Sequence, residues 1–258
     1  MAAETKCAPT IFFVPGAWHD PWVFDRVRSV LSARKFETET SSLASVGAVD
    51  PGVGLFHDVA RIRSALISLI DEGKEVVAIA HSYGGIVTSN AVEGLGIEQR
   101  AAQALSGGIV MILYLAAFAI PAGTTALSHF GGTYPPEWEV SEDRFFNVVQ
   151  PLQTLYADVE TSLADKAIAA LKPVPLQVVK DVSAYDPLDG KFEVGYIFTE
   201  NDQAIPISAQ EATFSRFPTG SFTANLSSSH SPFLSMPDAL ADTIQDAVKY
   251  VLAKRTLK

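Results

Sequence analysis

Residues 75–85 read Glu-Val-Val-Ala-Ile-Ala-His-Ser-Tyr-Gly-Gly, and the order of residue types in this stretch decides the fold. Residues 75–80 form a short apolar run of the kind that makes a buried strand, and residues 86–92 resume helical character. The five residues from His81 to Gly85 therefore turn the chain from strand to helix over almost no length. A serine at the tip of such a turn sits in strained backbone geometry, and its neighbours two before and two after must be small or their side chains collide. Ala80 and Gly84 meet that demand around Ser82. The same turn points Ser82 Oγ outward and lays the Tyr83 N–H at the start of the helix, where the positive end of the macrodipole helps hold an oxyanion.

Outward from this turn the chain alternates short apolar runs with helical periodicity. Strands are expected at 10–14, 36–40, 109–116, 193–199 and 221–226, and helices at 22–35, 55–70, 208–217 and 238–253. That alternation predicts an α/β fold, a mostly parallel sheet of about six strands flanked by helices. Residues 121–188 break the rhythm with Pro, Gly and aromatic residues. An insertion of this length between two core strands is uncommon as a plain loop and reads as a lid over a site. The core is then 1–120 and 189–258, with 121–188 as the inserted cap, whose Phe130 and Trp138 are candidate pocket residues.

A serine hydroxyl needs a base to take its proton at neutral pH. Of the five histidines, His81 is next to the serine in a strained turn and is expected to point away from it. His57 reads as the polar face of a helix and His129 as part of the cap. His230 lies in a small-residue loop, Ser227-Ser228-Ser229-His230-Ser231-Pro232, between the last strand and the last helix, where the order nucleophile, acid, base puts the base. The acid follows the preceding strand, where both Glu200 and Asp202 stand. Either carboxylate can fix the imidazole tautomer. Asp202 is preferred because it is deeper in the loop, ahead of Ile205-Pro206, with Glu200 as the alternative. A second oxyanion donor is expected from the loop after the first strand, where Gly16 allows close approach and frees the Ala17 N–H. Trp18 and His19 beside it are pocket or turn residues, His19 either contacting substrate or hydrogen-bonding structurally.

Composition narrows the partners. The chain has 258 residues, of which 48% are hydrophobic and 19% charged, enough for one well-filled domain. A net charge of −10 disfavours nucleic acid and anionic membrane, both of which need a positive face. Cys7 is the single cysteine, so no intrachain disulfide or thiolate cluster forms, and no H-E-x-x-H or G-x-G-x-x-G string suggests a metal or a dinucleotide. Residues 1–10 are too polar for a secretory signal, and the apolar run 108–122 is shorter than the ~20 residues of a bilayer span. A cytoplasmic chain with a small-molecule partner is expected, with a homodimer left open.

With these residues in place, the chain resembles the α/β-hydrolase superfamily along nearly its whole length, and within it the branch of plant methylesterases and hydroxynitrile lyases with their microbial esterase relatives. The matching motifs are Pro15-Gly16-Ala17-Trp18-His19 with Trp22, His81-Ser82-Tyr83-Gly84-Gly85, residues 199–206 around Asp202, and Ser229-His230-Ser231-Pro232. The resemblance implies a catalytic triad of Ser82, Asp202 and His230, oxyanion N–H groups from Ala17 and Tyr83, and no cofactor. It departs at Pro15, where many relatives carry histidine, and at Ser231, where the lyases place lysine. The implied function is a serine hydrolase that cleaves a small apolar or aromatic ester or lactone through an acyl-enzyme. Two other readings use the same residues: C–C cleavage, decarboxylation or rearrangement of a secondary metabolite, and a receptor-like ligand-binding member.

Overall fold

The computed structural model describes residues 8–256, so Cys7 and most of the polar start lie outside the described residues. The strands are β1 (Thr10–Val14), β2 (Thr38–Thr40), β3 (Glu75–His81), β4 (Gly108–Leu115), β5 (Trp138–Val140), β6 (Phe145–Val148), β7 (Val174–Pro175), β8 (Val194–Thr199) and β9 (Phe222–Leu226). The larger helices and the short ones between them are α1 (Asp25–Ala33), α2 (Leu55–Asp71), α3 (Gly84–Ala91), α4 (Ile97–Ala101), α5 (Ala126–His129), α6 (Pro151–Leu155), α7 (Thr161–Ala169), α8 (Gln177–Lys180), α9 (Ile207–Phe214), α10 (Pro232–Ser235) and α11 (Pro237–Thr256).

The main sheet has six strands in the order β2-β1-β3-β4-β8-β9, and every neighbouring pair runs parallel. Parallel strands covered on both faces must be apolar throughout, and β1 and β4 are buried at every position. Helices with one apolar stripe supply the cover. On α2 the buried residues Leu55, Asp58, Ile62, Leu66 and Ile70 recur every three to four positions. Helix α1 packs against α11, and α2 against α3. The chain leaves β1 toward β2 and then returns past it to β3, so the winding direction reverses at β1 and β3. In open α/β sheets the crevice at the C-terminal ends of such strands is where ligands bind.

The segment between β4 and β8 carries the second, three-stranded sheet β5-β6-β7, whose pairs are antiparallel, together with the short helices α5 to α8. Elsewhere the elements depart from the sequence expectation at their ends. A 3₁₀ turn at Pro21–Phe24 precedes α1, because Pro21 sits at the first helical position and starts a turn of its own. The last helix is likewise preceded by the separate short helix α10, with Pro232 at its start and Pro237 opening α11. Among the described residues, no helix is long and apolar enough to cross a membrane.

Candidate active site

Strand β3 ends at His81, and α3 begins at Gly84 with Tyr83 as its N-cap. Ser82 occupies the junction at φ 53°, a left-handed conformation that costs a non-glycine residue about 1–3 kcal/mol. The turn is held from several sides: Ser82 N–H donates to Leu115 O, while Ser82 O accepts from Gly85 N and Phe118 N. Its tightness explains the flanking glycine. A Cβ on Gly84 would lie 2.5 Å from Pro15 O and 2.8 Å from Val14 O, so β1 and the turn could not stay together. Gly16 serves the same closeness from the other side, since a Cβ there would lie 2.8 Å from Ser82 Cβ.

Asp202 and His230 meet at the ends of β8 and β9. His230 Nδ1–H donates to Asp202 Oδ2 at 2.7 Å, and both side chains are almost completely buried. That bond leaves Nε2 as the unprotonated nitrogen of the neutral ring. Asp202 is further held by Thr199 Oγ1–H on Oδ2 at 2.8 Å, and by the Ala204 and Ile205 N–H groups on Oδ1 at 2.8 and 2.9 Å. The two backbone bonds explain why the aspartate stands just ahead of Ile205-Pro206. Glu200 is exposed and accepts from Asn225 Nδ2 instead.

Ser82 and His230 open on one cavity, together with Ala17 and Tyr83. Trp18, Phe130 and Trp138 line it as the sequence suggests, and Phe118 and Phe146 join them. Their rings pack edge to face or tilted, with Trp138 4.4 Å from Phe146 and 5.2 Å from Phe130. Trp18, at φ 66°, is pinned by its Nε1–H to Phe146 O at 3.1 Å. Among the lining residues Glu137 is the only formally charged side chain.

Of the two roles the sequence leaves open for His19, the structure shows the hydrogen-bonding one and corrects its reading as a pocket residue. The side chain is 3% exposed and does not line the cavity. A carbonyl can only accept, so His19 Nδ1–H donates to Ala17 O at 2.7 Å and Nε2 accepts from Tyr156 O–H at 2.7 Å. Burial lowers its pKa to about 4, which keeps the ring neutral at pH 7. The chain reverses at Ala17-Trp18, and the imidazole is consumed in closing that turn.

Sequence reasoning missed several supports. His81 Nε2–H donates to His230 O at 3.0 Å with the two rings 4.5 Å apart, so the residue before the serine holds the backbone of the histidine. Burial holds the His81 ring well below the usual histidine range, again neutral. Tyr83 O–H donates to buried Asp58 Oδ2 at 2.9 Å, and Asp58 also accepts from Ser45 N and Ser45 Oγ. Burial raises the Asp58 pKa. The only sequence signal for this contact is an aspartate on the apolar stripe of α2. His57, read as a polar helix face, accepts the Gly54 N–H at the start of α2. His129 lies in α5 within the insertion.

Comparison with known proteins gives the family. The chain is 27% identical over 244 residues to the alpha/beta hydrolase nvfD of Aspergillus novofumigatus (strain IBT 16806), covering 93% of this chain and 96% of the relative. It is 23% identical over 270 residues to the pFDCC methylesterase MES16 of Arabidopsis thaliana, covering 97% and 99%. The fold matches the crystal structure of a pyrethroid hydrolase from Sphingobium faniae JZ-2 with a TM-score of 0.73 at 20% identity, covering 93% of this chain and 97% of that one. The model of the alpha/beta hydrolase family matches residues 11–243, and the chain belongs to that family.

Proposed function

We propose that the protein is a carboxylesterase-type serine hydrolase acting on a small, uncharged, apolar or aromatic ester or lactone. The observation that carries the reading is His230, bonded from behind by buried Asp202, opening on the same cavity as a serine held at φ 53°. In this reading Ser82 Oγ attacks the ester carbonyl while His230 Nε2 takes its proton, and Asp202 stabilises the imidazolium. The oxyanion accepts the Ala17 and Tyr83 N–H groups. As the carbonyl re-forms, the alkoxide leaves with the proton from His230 and the acyl group stays on Ser82. A water molecule, deprotonated by His230, then releases the acid and restores the serine. No cofactor enters these steps.

The substrate class follows from the lining. The aromatic wall of Trp18, Phe118, Phe130, Trp138 and Phe146 favours an apolar acyl or alcohol group, and no lysine or arginine lines the cavity to pair with a carboxylate. The insertion acts as the lid, contributing Phe130, Trp138 and Phe146. The names of the methylesterase and pyrethroid hydrolase relatives support ester chemistry. Ser231, directly after the base, supplies no cation for a cyanide leaving group, which argues against lyase chemistry of the kind its lysine-bearing relatives perform. Incubation with a fluorophosphonate and intact-mass analysis tests the mechanism: a single adduct on Ser82, absent in Ser82→Ala, is expected. A folded sample that takes up no adduct refutes it.

A further inference from the structure

We propose that one turn of the insertion, residues 155–158, fixes both catalytic loops at once, with Tyr156 and Asp158 as positioning residues for the oxyanion loop and the base loop. The proposal rests on the hydrolase reading of Ser82 and His230. The turn joins α6 to α7 and is closed by Val159 N–H on Tyr156 O at 2.9 Å. From it, fully buried Tyr156 donates to His19 Nε2, and His19 donates to Ala17 O, each at 2.7 Å. This chain fixes the peptide between Ala17 and Trp18, directly after the Ala17 N–H and before a residue held at φ 66°. Two residues on, the Asp158 carboxylate accepts from the Ser229 hydroxyl, which also reaches Leu155 O at 3.3 Å. Ser229 is fully buried and adjoins His230.

Two loops more than two hundred residues apart in sequence are thus tied to one four-residue turn. Neither Tyr156 nor Asp158 lines the cavity, so neither contacts substrate, and both act through the loops they hold. The physical consequence concerns alignment. An oxyanion donor works only within about 2.7–3.1 Å of where the charge develops, and a base only within hydrogen-bond reach of its proton. Removing the Tyr156 hydroxyl leaves His19 Nε2 without its donor, so the ring gains the option of moving the proton to Nε2 and releasing Ala17 O. A loss of this kind is felt in the transition state rather than in ground-state binding.

The test follows the saturation kinetics of Ser82 phosphonylation by an aryl fluorophosphonate, read by intact mass, in the wild type and in Tyr156→Phe, Asp158→Ala and Asp158→Asn. The expected result is a maximal labelling rate about tenfold lower for Tyr156→Phe and Asp158→Ala, with half-saturation within about twofold. Asp158→Asn keeps an acceptor oxygen and regains most of the rate. Labelling of all variants at the wild-type rate overturns the proposal, as does a change in half-saturation alone, or an Asn variant as slow as Ala. If Tyr156→Phe does not fold, the Asp158 pair decides. A wild type that is not labelled refutes the hydrolase reading and this proposal with it; a labelled wild type with unaffected variants refutes the positioning role alone.

Discussion

Ser82, Asp202 and Glu137 show how much a single position carries. Ser82 is held at φ 53° by three backbone bonds and by the absence of a Cβ on Gly16 and Gly84. Gly84→Ala is therefore expected to fold poorly or not at all, which chemical denaturation or soluble yield reveals. The two acid candidates part company on contacts. Asp202 faces His230, whereas exposed Glu200 holds Asn225. Asp202→Asn should lower kcat by roughly 10³-fold or more by disturbing the histidine tautomer, while Glu200→Gln stays within about twofold on the same ester assay. Loss of activity in the glutamine variant alone would reverse the assignment. Exposed Glu137, the one formally charged side chain of the cavity lining, is expected to disfavour an anionic substrate. For an aryl ester bearing a free carboxylate, Glu137→Lys is expected to raise kcat/KM several-fold relative to its neutral methyl ester. An unchanged ratio would place the carboxylate without influence on selectivity.

At the scale of elements, the loops that carry the functional groups are stapled by helices that never touch the cavity. On α9, fully buried Gln210 accepts the Thr199 N–H at its Oε1, and its Nε2 faces Thr199 O, Thr199 Oγ1 and Ile205 O. Thr199 in turn donates to Asp202, so α9 orients the acid through one threonine. Gln210→Ala leaves several buried backbone groups unpaired, each costing about 1–3 kcal/mol, and should lower the urea midpoint sharply. Helix α2 does the same for the elbow through Asp58 and Tyr83. These staples are hard to see in a sequence: a buried glutamine looks like the polar face of its helix, and Asp58, although it interrupts the apolar stripe of α2, gives no sign that its partner is Tyr83. The strands and larger helices were legible because a buried parallel strand is apolar along its length and a covering helix is apolar on one stripe. The small sheet of the insertion was not, since β5 and β7 have only three and two residues and no period to read.

Across the whole molecule, buried neutral histidines couple stability to pH. His19 in the folded chain has a pKa of about 4, and His81 is also held well below its ordinary value, both chiefly by burial. Below pH 6.5 the unfolded chain binds protons on these rings that the folded chain refuses, so acid favours unfolding. Stability therefore rises with pH from about 4 to 6.5 and levels off above; His19 alone is worth about 3 kcal/mol by pH 4. Asp58 acts with the opposite sign, because its raised pKa adds stability that is lost as pH rises through it, but it is one group against three histidines, since partial burial also lowers the His129 pKa. Urea midpoints at pH 7.5, 6 and 5 should fall on acidification, and a flat profile below 6.5 would contradict the argument. The amino-acid order by itself determined a mostly parallel sheet of about six strands, the strand-turn-helix around Ser82, and the neighbourhood of His230, because periodicity and steric demands at a tight turn are local properties. Only the tertiary structure placed Asp202 against His230 and Glu200 against Asn225, showed His19 as a brace for Ala17 rather than a cavity residue, and brought Tyr156 and Asp158 onto the loops they hold. Those outcomes depend on which distant atoms lie within hydrogen-bond distance in a buried site, and no spacing along the chain encodes that. The serine turn is written in the sequence; the direction in which each supporting side chain points is set by the packing around it.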